Sequence, residues 1–214
     1  PEVQVVGEVP EERLERVRGG VDYGFLQGGA VVVGEWGGKL WVVREVYPQH
    51  MDTRDFARML SELERELGRV IPWYCGKDRP DLVQNMQMLG MDAKYAVTGL
   101  AYGLGRLVNL FRNDAIRVAA GCKELQSEIA EYRWAKQGGG VVEGRPASGQ
   151  RDHLIDALRY ALCADGYEGE EGTAEPELWP EAFLPSSRLV EAERAVKVVE
   201  GRGWRETTAT SVWD

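Results

Sequence analysis

The spacing of apolar residues changes along this chain of 214 residues, from strand-like runs near its start to helical periodicity further on. Three runs rich in β-branched and aromatic residues, at 20–25, 29–35 and 39–47, are separated by turns that contain glycine. Such runs predict an antiparallel meander of three neighbouring strands. A charged lead-in over residues 1–18 precedes them, with a short strand predicted at 3–6.

After the meander, amphipathic helices alternate with short apolar strands. In the clearest helix, Asp52 is a typical N-cap, apolar residues recur at helical spacing from Phe56 to Leu67, and Gly68 is a typical C-cap. Further strands are predicted at 70–75, 92–97 and 114–119, and further helices at 80–90, 100–111, 122–134 and 151–164. The order βββαβαβα predicts an α/β fold, a mixed sheet of three antiparallel strands followed by parallel βα units, with helices on its faces. This is the ribonuclease H-like plan, although a fold by itself does not establish a function.

The negative charge of the chain is concentrated at its C-terminal end. The formal net charge is -9, and residues 166–214 hold eleven acids against five bases, a net of -6. A net negative charge of this size argues against a protein that coats nucleic acid with its whole surface. We expect one domain over residues 19–165, after the lead-in or linker of 1–18. The acidic extension over 166–214 then contains a linker and a peripheral helix at 188–200, and is a candidate for binding a partner.

Composition also restricts location and metal chemistry. No run approaches the roughly 18 apolar residues of a membrane span, and the N-terminus lacks the layout of a signal peptide. Three cysteines without CxxC spacing predict reduced, mostly buried thiols rather than a disulfide framework or a zinc site. With only His50 and His153 available, any metal site must rest on carboxylates and would favour Mg²⁺ or Mn²⁺. Because the chain begins at Pro1 rather than a methionine, we expect either that its start has been processed or that it is a piece of a longer protein.

Four acids occupy positions that packing does not require. Asp22 lies within an apolar strand, Asp78 follows the fourth strand, and Asp152 and Asp156 lie about one helical turn apart. A carboxylate inside a strand is desolvated and needs a partner, such as a divalent cation. If the last helix packs beside the first strand, Asp22, Asp78 and Asp156 converge on two ions roughly 3.5–4 Å apart, an arrangement suited to phosphodiester hydrolysis.

Each of these positions also has an ordinary structural interpretation. Asp78 can cap the helix that follows it, and Asp156 can form an exposed ion pair with Arg159 or Arg151. His153 lies off the helix face shared by the two acids, where packing or capping is the preferred interpretation. Only the four acids taken together favour a metal site.

Four stretches of the chain together resemble a known family. GVDYGF on the first strand, WYCGKD before a helix led by proline, ELQSEIAEYRW, and above all DHLIDALRYAL resemble the nuclease domain of phage and herpesvirus-like large terminases. The resemblance covers residues 20–164. Its most specific part is the closing helix motif from Asp152 to Tyr160.

The resemblance implies a two-metal-ion endonuclease that cleaves double-stranded DNA during phage genome packaging. It implies that Asp22, Asp78 and Asp156 are the catalytic ligands of two Mg²⁺ or Mn²⁺ ions, and that Asp152 is a further acid at the metal site. The residues CGK stand before Asp78 where the family has small apolar residues. Asp81 is therefore the alternative second acid.

The resemblance also implies partners and a location. The basic, glycine-rich stretch of residues 133–151 predicts a hairpin or loop, and its bases would contact DNA, namely Arg133, Lys136, Arg145 and Arg151. The alternative for this stretch is an ordinary solvated loop. No GxxxxGK[ST] motif is present, so the ATPase domain of the packaging motor is expected on an upstream segment. The portal and the small terminase are the other implied partners, with the host cytoplasm as the location and no membrane association.

Three other interpretations stay open at this point. A junction resolvase or another ribonuclease H-like nuclease would use the same acids, and a resolvase is expected to be a dimer that prefers branched DNA. DYG after a strand also resembles the phosphate loop of actin-like ATPases, a fold that needs two such domains and more residues than this chain has. A non-enzymatic module that docks on a capsid portal would keep the carboxylates without using a metal.

Overall fold

The computed structural model describes residues 3–7, 9, 11–24, 27–96, 99–137 and 140–163, with only the backbone at 3, 136, 137 and 140–144, and the backbone of two further strands near the C-terminus. The strands are β1 (Val3–Val6), β2 (Glu15–Tyr23), β3 (Gly28–Trp36), β4 (Lys39–Val46), β5 (Trp73–Cys75), β6 (Ala93–Tyr95), β7 (Ile116–Ala119), β8 (Trp134–Gln137), β9 (Gly140–Pro146), β10 (Val196–Glu200) and β11 (Gly203–Thr207). The helices are α1 (Thr53–Leu67), α2 (Pro80–Met88), α3 (Leu100–Arg112), α4 (Lys123–Glu131) and α5 (His153–Leu162), with a 3-10 turn at Glu11–Arg13.

One mixed sheet organises these elements, in the order β11-β10-β1-β7-β4-β3-β2-β5-β6. The predicted antiparallel meander is present as β2, β3 and β4. Strands β5, β6 and β7 join it in parallel pairings and alternate with helices along the chain. The predicted ribonuclease H-like α/β fold is therefore confirmed. Strands β8 and β9 pair separately as an antiparallel hairpin in the glycine-rich stretch.

Two segments outside the central part of the chain contribute strands to this sheet. The strand predicted at residues 3–6 is β1, which pairs in parallel with β7 and β10. The peripheral helix predicted at 188–200 is wrong for 196–200, which form β10, and its other residues lie outside the described ones. The sequence VKVV is rich in β-branched residues and favours a strand, which pairs with β11 nearby in sequence and with the distant β1. The domain limits at residues 18 and 165 stay predictions.

The two faces of the sheet carry separate apolar layers, because side chains alternate along each strand. On β3, Val31 and Val33 belong to the layer that includes α3, α4 and α5. Ala30 and Val32 belong to the layer that includes α1 and α2. All four side chains are buried. Helix α5 lies across β2 and β3, near the middle of the sheet.

The ends of α1 and α2 are where local sequence signals predict them. The Asp52 carboxylate accepts hydrogen bonds from the N–H groups of Arg54 and Asp55 at 2.8 and 2.9 Å, which caps α1. Gly68 ends α1 in the left-handed conformation, with φ of 63°. Pro80 is the first residue of α2, where its missing N–H costs nothing.

The three cysteines have the state that their number and spacing predict. Cys75, Cys122 and Cys163 are all buried free thiols, as predicted, and burial raises the pKa of each. No helix in the described ranges has both the length and the apolar character that crossing a membrane requires.

Candidate functional site

The carboxyl ends of β2 and β5 meet at one edge of the sheet because these strands are parallel neighbours. Val21 pairs with Cys75, and the N–H of Gly76 donates to the Val21 carbonyl at 2.9 Å. Asp22 therefore lies beside the loop that leaves β5 and carries Asp78. The two acids line one shallow open depression, together with Val21, Tyr23, Gly76, Arg79 and Leu82.

The loop after β5 passes close to the side chains of Asp22 and Tyr160 at Gly76. A Cβ atom on Gly76 would lie 3.4 Å from Oδ1 of Asp22 and 3.3 Å from the ring of Tyr160. Cys75 before it is buried and completes β5. Burial thus explains Cys75, and the closeness of Asp22 and Tyr160 favours glycine at residue 76.

Asp81, the alternative second acid, is engaged between α1 and α2 instead. Its carboxylate accepts two hydrogen bonds from Arg79, at 2.9 and 2.8 Å, and one from the Thr53 hydroxyl at 3.0 Å. The hydrogen bond from Arg79 is the largest cause of a pKa lowered to about 2 for Asp81. The Arg79 guanidinium also lies 5.1 Å from the centre of the Tyr23 ring. Asp78, and not Asp81, shares the depression with Asp22.

The first residue of α5 reaches across to β2. Nδ1 of His153 lies 2.7 Å from Oδ2 of Asp22. This hydrogen bond is the largest cause of the raised pKa of His153, and burial opposes it. Sequence reasoning set His153 aside, but its spacing of three residues from Asp156 places the two on neighbouring parts of one helix face. That spacing is the signal that could have revealed it.

Asp152 and Asp156 are partly buried acids within electrostatic range of Asp22. Burial is the largest cause of the raised pKa of each carboxyl. The negative charge of Asp22 raises both pKa values further, and the charge of His153 lowers them. These carboxylates are partly buried and repel one another when they are ionised. A bound cation would reduce that repulsion.

Arg159 is a buried counter-charge for Asp156. Its side chain is 3% exposed, and its Nε and Nη2 atoms both lie 3.1 Å from Oδ1 of Asp156. Its guanidinium lies 4.5 Å from the centre of the Tyr160 ring. A Cβ atom on Gly103 of α3 would lie 2.3 Å from Cγ of Arg159, so glycine makes room for this side chain. The ion pair between Asp156 and Arg159, one of the alternatives given for Asp156, is present. It was expected to be exposed, but Arg159 is buried.

Comparison with known proteins bears on the fold. No family model and no curated protein matches the chain. The large terminase of a thermophilic bacteriophage matches with a TM-score of 0.66 and 19% identity, over 75% of this chain and 42% of that one. The g2p large terminase nuclease domain of bacteriophage SPP1, solved with bound Mn, matches with a TM-score of 0.62 and 16% identity, over 77% and 98%. The P22 large terminase nuclease domain matches with a TM-score of 0.62 and 14% identity, over 77% and 89%.

The chain has the fold of phage large-terminase nuclease domains. At these identities the likeness concerns the fold alone, and the chain spans 42% of the length of the thermophilic phage's large terminase. The roles of individual side chains in this terminase-nuclease fold must therefore be judged from their own chemistry and geometry.

The four predicted acids have the donor chemistry that a metal site in the terminase-nuclease fold would need. Carboxylate oxygens, with an imidazole beside them, suit Mg²⁺ or Mn²⁺. Within the described ranges, however, no three His, Cys, Asp or Glu side chains are already close enough together to hold an ion. Asp22 is hydrogen-bonded to His153, and Asp156 is hydrogen-bonded to Arg159. The chemistry of the donors fits, and the ligand set stays a prediction.

The bases predicted to contact DNA fall on or beside the β8–β9 hairpin. Arg133 and Arg145 are exposed. Arg151 is also exposed, and it turns toward α4, where it pairs with Glu124 at 3.4 Å. The side chain of Lys136 lies outside the described residues. The structure thus supplies two exposed arginines on the hairpin and a third tied to a neighbouring helix.

Proposed function

We propose that this chain is the nuclease domain of a phage DNA-packaging terminase and cleaves double-stranded DNA by metal-dependent phosphodiester hydrolysis. The observation that carries the proposal is the junction of β2 with α5, where Asp22 is bonded to His153, three residues before Asp156. The fold supports the proposal, because solved terminase nuclease domains of several phages have the same fold. The SPP1 domain was solved with bound Mn, which is consistent with carboxylates that hold a divalent cation.

Asp22, Asp78 and Asp156 would hold two Mg²⁺ or Mn²⁺ ions, with Asp152 as a further ligand. Bound ions of this kind activate water and stabilise the leaving 3′ oxygen. The contribution of the chain itself is to hold the carboxylates in place beforehand. Two of the three principal acids already have fixed partners, because Asp22 is bonded to an imidazole and Asp156 to a guanidinium.

The bond between His153 and Asp22 sets the orientation of the carboxylate on β2. We assign a proton to Nδ1 of His153, because its partner there is a carboxylate that accepts and does not donate. The same hydrogen bond is the largest cause of the raised pKa of His153, because the Asp22 carboxylate favours the charged imidazolium. On α5, Arg159 occupies Oδ1 of Asp156, so Asp156 would bind an ion through Oδ2.

DNA would approach the site along the hairpin. The exposed Arg133 and Arg145 would contact phosphates, and Lys136 and Arg151 are proposed as further contacts. Since the chain has a net charge of -9 and few phosphates are contacted, we expect weak affinity that falls steeply with salt.

A packaging nuclease would work within a larger assembly in the host cytoplasm. The large terminase of the thermophilic bacteriophage is longer than this chain, which spans 42% of it. We therefore propose an ATPase domain, a portal and a small terminase as partners beside double-stranded DNA. The acidic extension over residues 166–214 is the segment that we propose to bind one of the protein partners.

A panel of substrates tests this function against its alternatives. Plain duplex, a four-way junction and an RNA–DNA hybrid are incubated with the chain in Mn²⁺, Mg²⁺ or EDTA. We expect cutting of plain duplex at unrelated sequences with a divalent metal, and none with EDTA. Strong preference for the junction would indicate a resolvase, and cutting of the RNA strand alone would indicate a different ribonuclease H-like nuclease. A lack of cutting with every metal would favour the docking module.

A further inference from the structure

Glu128 of α4 is a fully buried carboxylate that binds the start of α5. Its side chain is 0% exposed, and its Oε2 accepts hydrogen bonds from the backbone N–H groups of Leu154 at 2.9 Å and Ile155 at 3.1 Å. Both N–H groups belong to the first turn of α5, where a helix offers no internal acceptor. A side chain from a neighbouring helix therefore does what a capping residue normally does.

The residue at the N-cap position of α5 does not cap the helix with its side chain. Asp152 occupies that position, and its side chain makes no capping hydrogen bond. Aspartate is among the preferred N-cap residues, so its carboxylate could have accepted these N–H groups. Glu128 accepts them instead, and the Asp152 carboxylate lies within electrostatic range of Asp156 and Asp22.

The same arrangement recurs one step further from the site. Glu45 of β4 accepts hydrogen bonds from the N–H groups of Glu124 at 3.0 Å and Leu125 at 2.8 Å, in the first turn of α4. The N-cap residue of α4, Cys122, also makes no side-chain capping bond. The first turn of α4 is thus capped by a carboxylate of the sheet, in the same way as the first turn of α5 is capped by a carboxylate of α4.

Capping α5 with a buried carboxylate costs desolvation free energy. Desolvation raises the pKa of Glu128, while the nearby Tyr47 hydroxyl and the two N–H groups of α5 lower it. Neither Oε1 of Glu128 nor the Tyr47 hydroxyl has a hydrogen bond of normal geometry within the described part of the chain. An exposed serine or aspartate would cap α5 without this desolvation cost. Stability alone therefore does not account for glutamate at this position.

We propose that Glu128 is a positioning residue for the site. By capping α5 in place of Asp152, it fixes the height and rotation of the first turn, and with them His153 and Asp156 relative to Asp22. The metal-binding part of this inference rests on the function proposed above. The geometric part concerns the protein without any ion and can be tested separately.

The test compares Glu128→Gln and Glu128→Asp with Glu45→Gln. Glutamine keeps the size of the side chain and removes its charge, whereas aspartate keeps the charge and shortens the side chain by one methylene. Glu45→Gln is the matched control, because it weakens the same kind of cap on α4 and leaves the cap on α5 in place. Thermal unfolding of each variant measures how much either cap contributes to stability.

Two readouts separate positioning from stability. The NMR resonances of the His153 ring in metal-free protein report its bond to Asp22, and calorimetry gives the Kd for Mn²⁺. We expect Glu128→Gln to shift the His153 resonances and to weaken Mn²⁺ binding by about 10- to 100-fold. Glu128→Asp is expected to lie between Glu128→Gln and the wild type. Glu45→Gln should lower the Tm while leaving the His153 resonances and the Mn²⁺ affinity as in the wild type.

Unchanged His153 resonances and Mn²⁺ affinity in Glu128→Gln would overturn the inference. The inference would also be overturned if Glu45→Gln changed the His153 resonances and the Mn²⁺ affinity as much as Glu128→Gln does. Such a result would mean that both substitutions loosen the fold in general. If the wild type neither binds Mn²⁺ nor cuts DNA, the proposed function fails. The His153 resonances then decide on their own whether Glu128 positions α5.

Discussion

A Cβ atom on Gly20 would lie 1.8 Å from the carbonyl oxygen of Ala157, so β2 and α5 touch backbone to backbone at this point. Asp22 lies two residues after this contact on β2, and Asp156 lies one residue before it on α5. The separation of the two acids is therefore set by a contact that only glycine permits.

Replacing Gly20 by alanine should damage both the fold and the site. The new methyl group meets helix backbone that cannot move aside, and overpacking of this kind costs about 1–3 kcal/mol or more. Gly121→Ala is the control, because a Cβ there meets nothing within 4 Å, and it should change stability by less than about 0.5 kcal/mol. Urea unfolding measures both variants. Equal stability of the two would show that the contact is not tight.

The second acid can be identified by comparing Asp78→Asn with Asp81→Asn. Asp78 lines the depression with Asp22, so Asp78→Asn should abolish metal-dependent cutting with little change in stability. Asp81 is bonded to Arg79 and Thr53, so Asp81→Asn should lower the Tm and retain cutting. Plasmid cleavage and thermal unfolding of both variants provide the measurement. The reverse pattern would make Asp81 the ligand.

Acid sensitivity should be traceable to Asp114, which connects β4 with β7. Hydrogen bonds from Arg117 and Lys39, the former being the larger cause, lower its pKa to about 2. A carboxyl with a lowered pKa adds stability above the pKa it has when unfolded, and this contribution disappears as the pH falls toward 2.

Asp114→Asn should therefore destabilise the protein near pH 7, and its difference from the wild type should shrink as the pH falls through about 2. The side chain of Asp114 is 45% exposed, so solvent screening restricts the expected difference to about 1 kcal/mol. Asparagine tolerates the positive φ of 55° at this position, so backbone strain is not introduced. Urea unfolding across this pH range is the measurement, and a difference that is independent of pH would contradict the assignment.

The hairpin arginines should determine how DNA affinity depends on salt. Arg133→Gln combined with Arg145→Gln should weaken binding and reduce the slope of log K against log salt by about 0.9 for each lost phosphate contact. Arg58→Gln combined with Arg65→Gln removes the same charge from α1, whose apolar residues belong to the other face of the sheet. This control should leave the slope nearly unchanged. Equal effects of the two pairs would indicate a nonspecific response to net charge.

The fold was predictable to the extent that local patterns determine it. Alternation along β3, the Asp52 cap and the C-terminal Gly68 are local signals, and each corresponds to an element end or a buried face in the structure. Strand β10 was missed because five residues are too few for their periodicity to separate a strand from a helix, and because β1, one of its two partners, lies almost the whole chain away. Periodicity within a short segment contains no information on such a partner.

The side chains that support the site were less visible than the acids themselves. Asp22 stood out as a charge within an apolar strand. Glu128 lies in a segment of mixed acids and polar residues, where nothing distinguishes a buried acid from its exposed neighbours. The bond of His153 to Asp22 and the burial of Arg159 depend on how α5 docks on β2 and α3. These relations are tertiary, so the sequence alone could offer only the residue types.

The most direct measurement is cutting of supercoiled plasmid in Mn²⁺, Mg²⁺ or EDTA by the wild type, Asp22→Asn and Asp156→Asn. Asp92→Asn is the matched control, since Asp92 is an exposed acid paired with Lys94 away from the depression. We expect nicking and linearisation that require a divalent metal, are retained in Asp92→Asn and are abolished in both site variants, which stay folded. Cutting that persists in both Asp22→Asn and Asp156→Asn, or that is insensitive to EDTA, would contradict the proposed nuclease site.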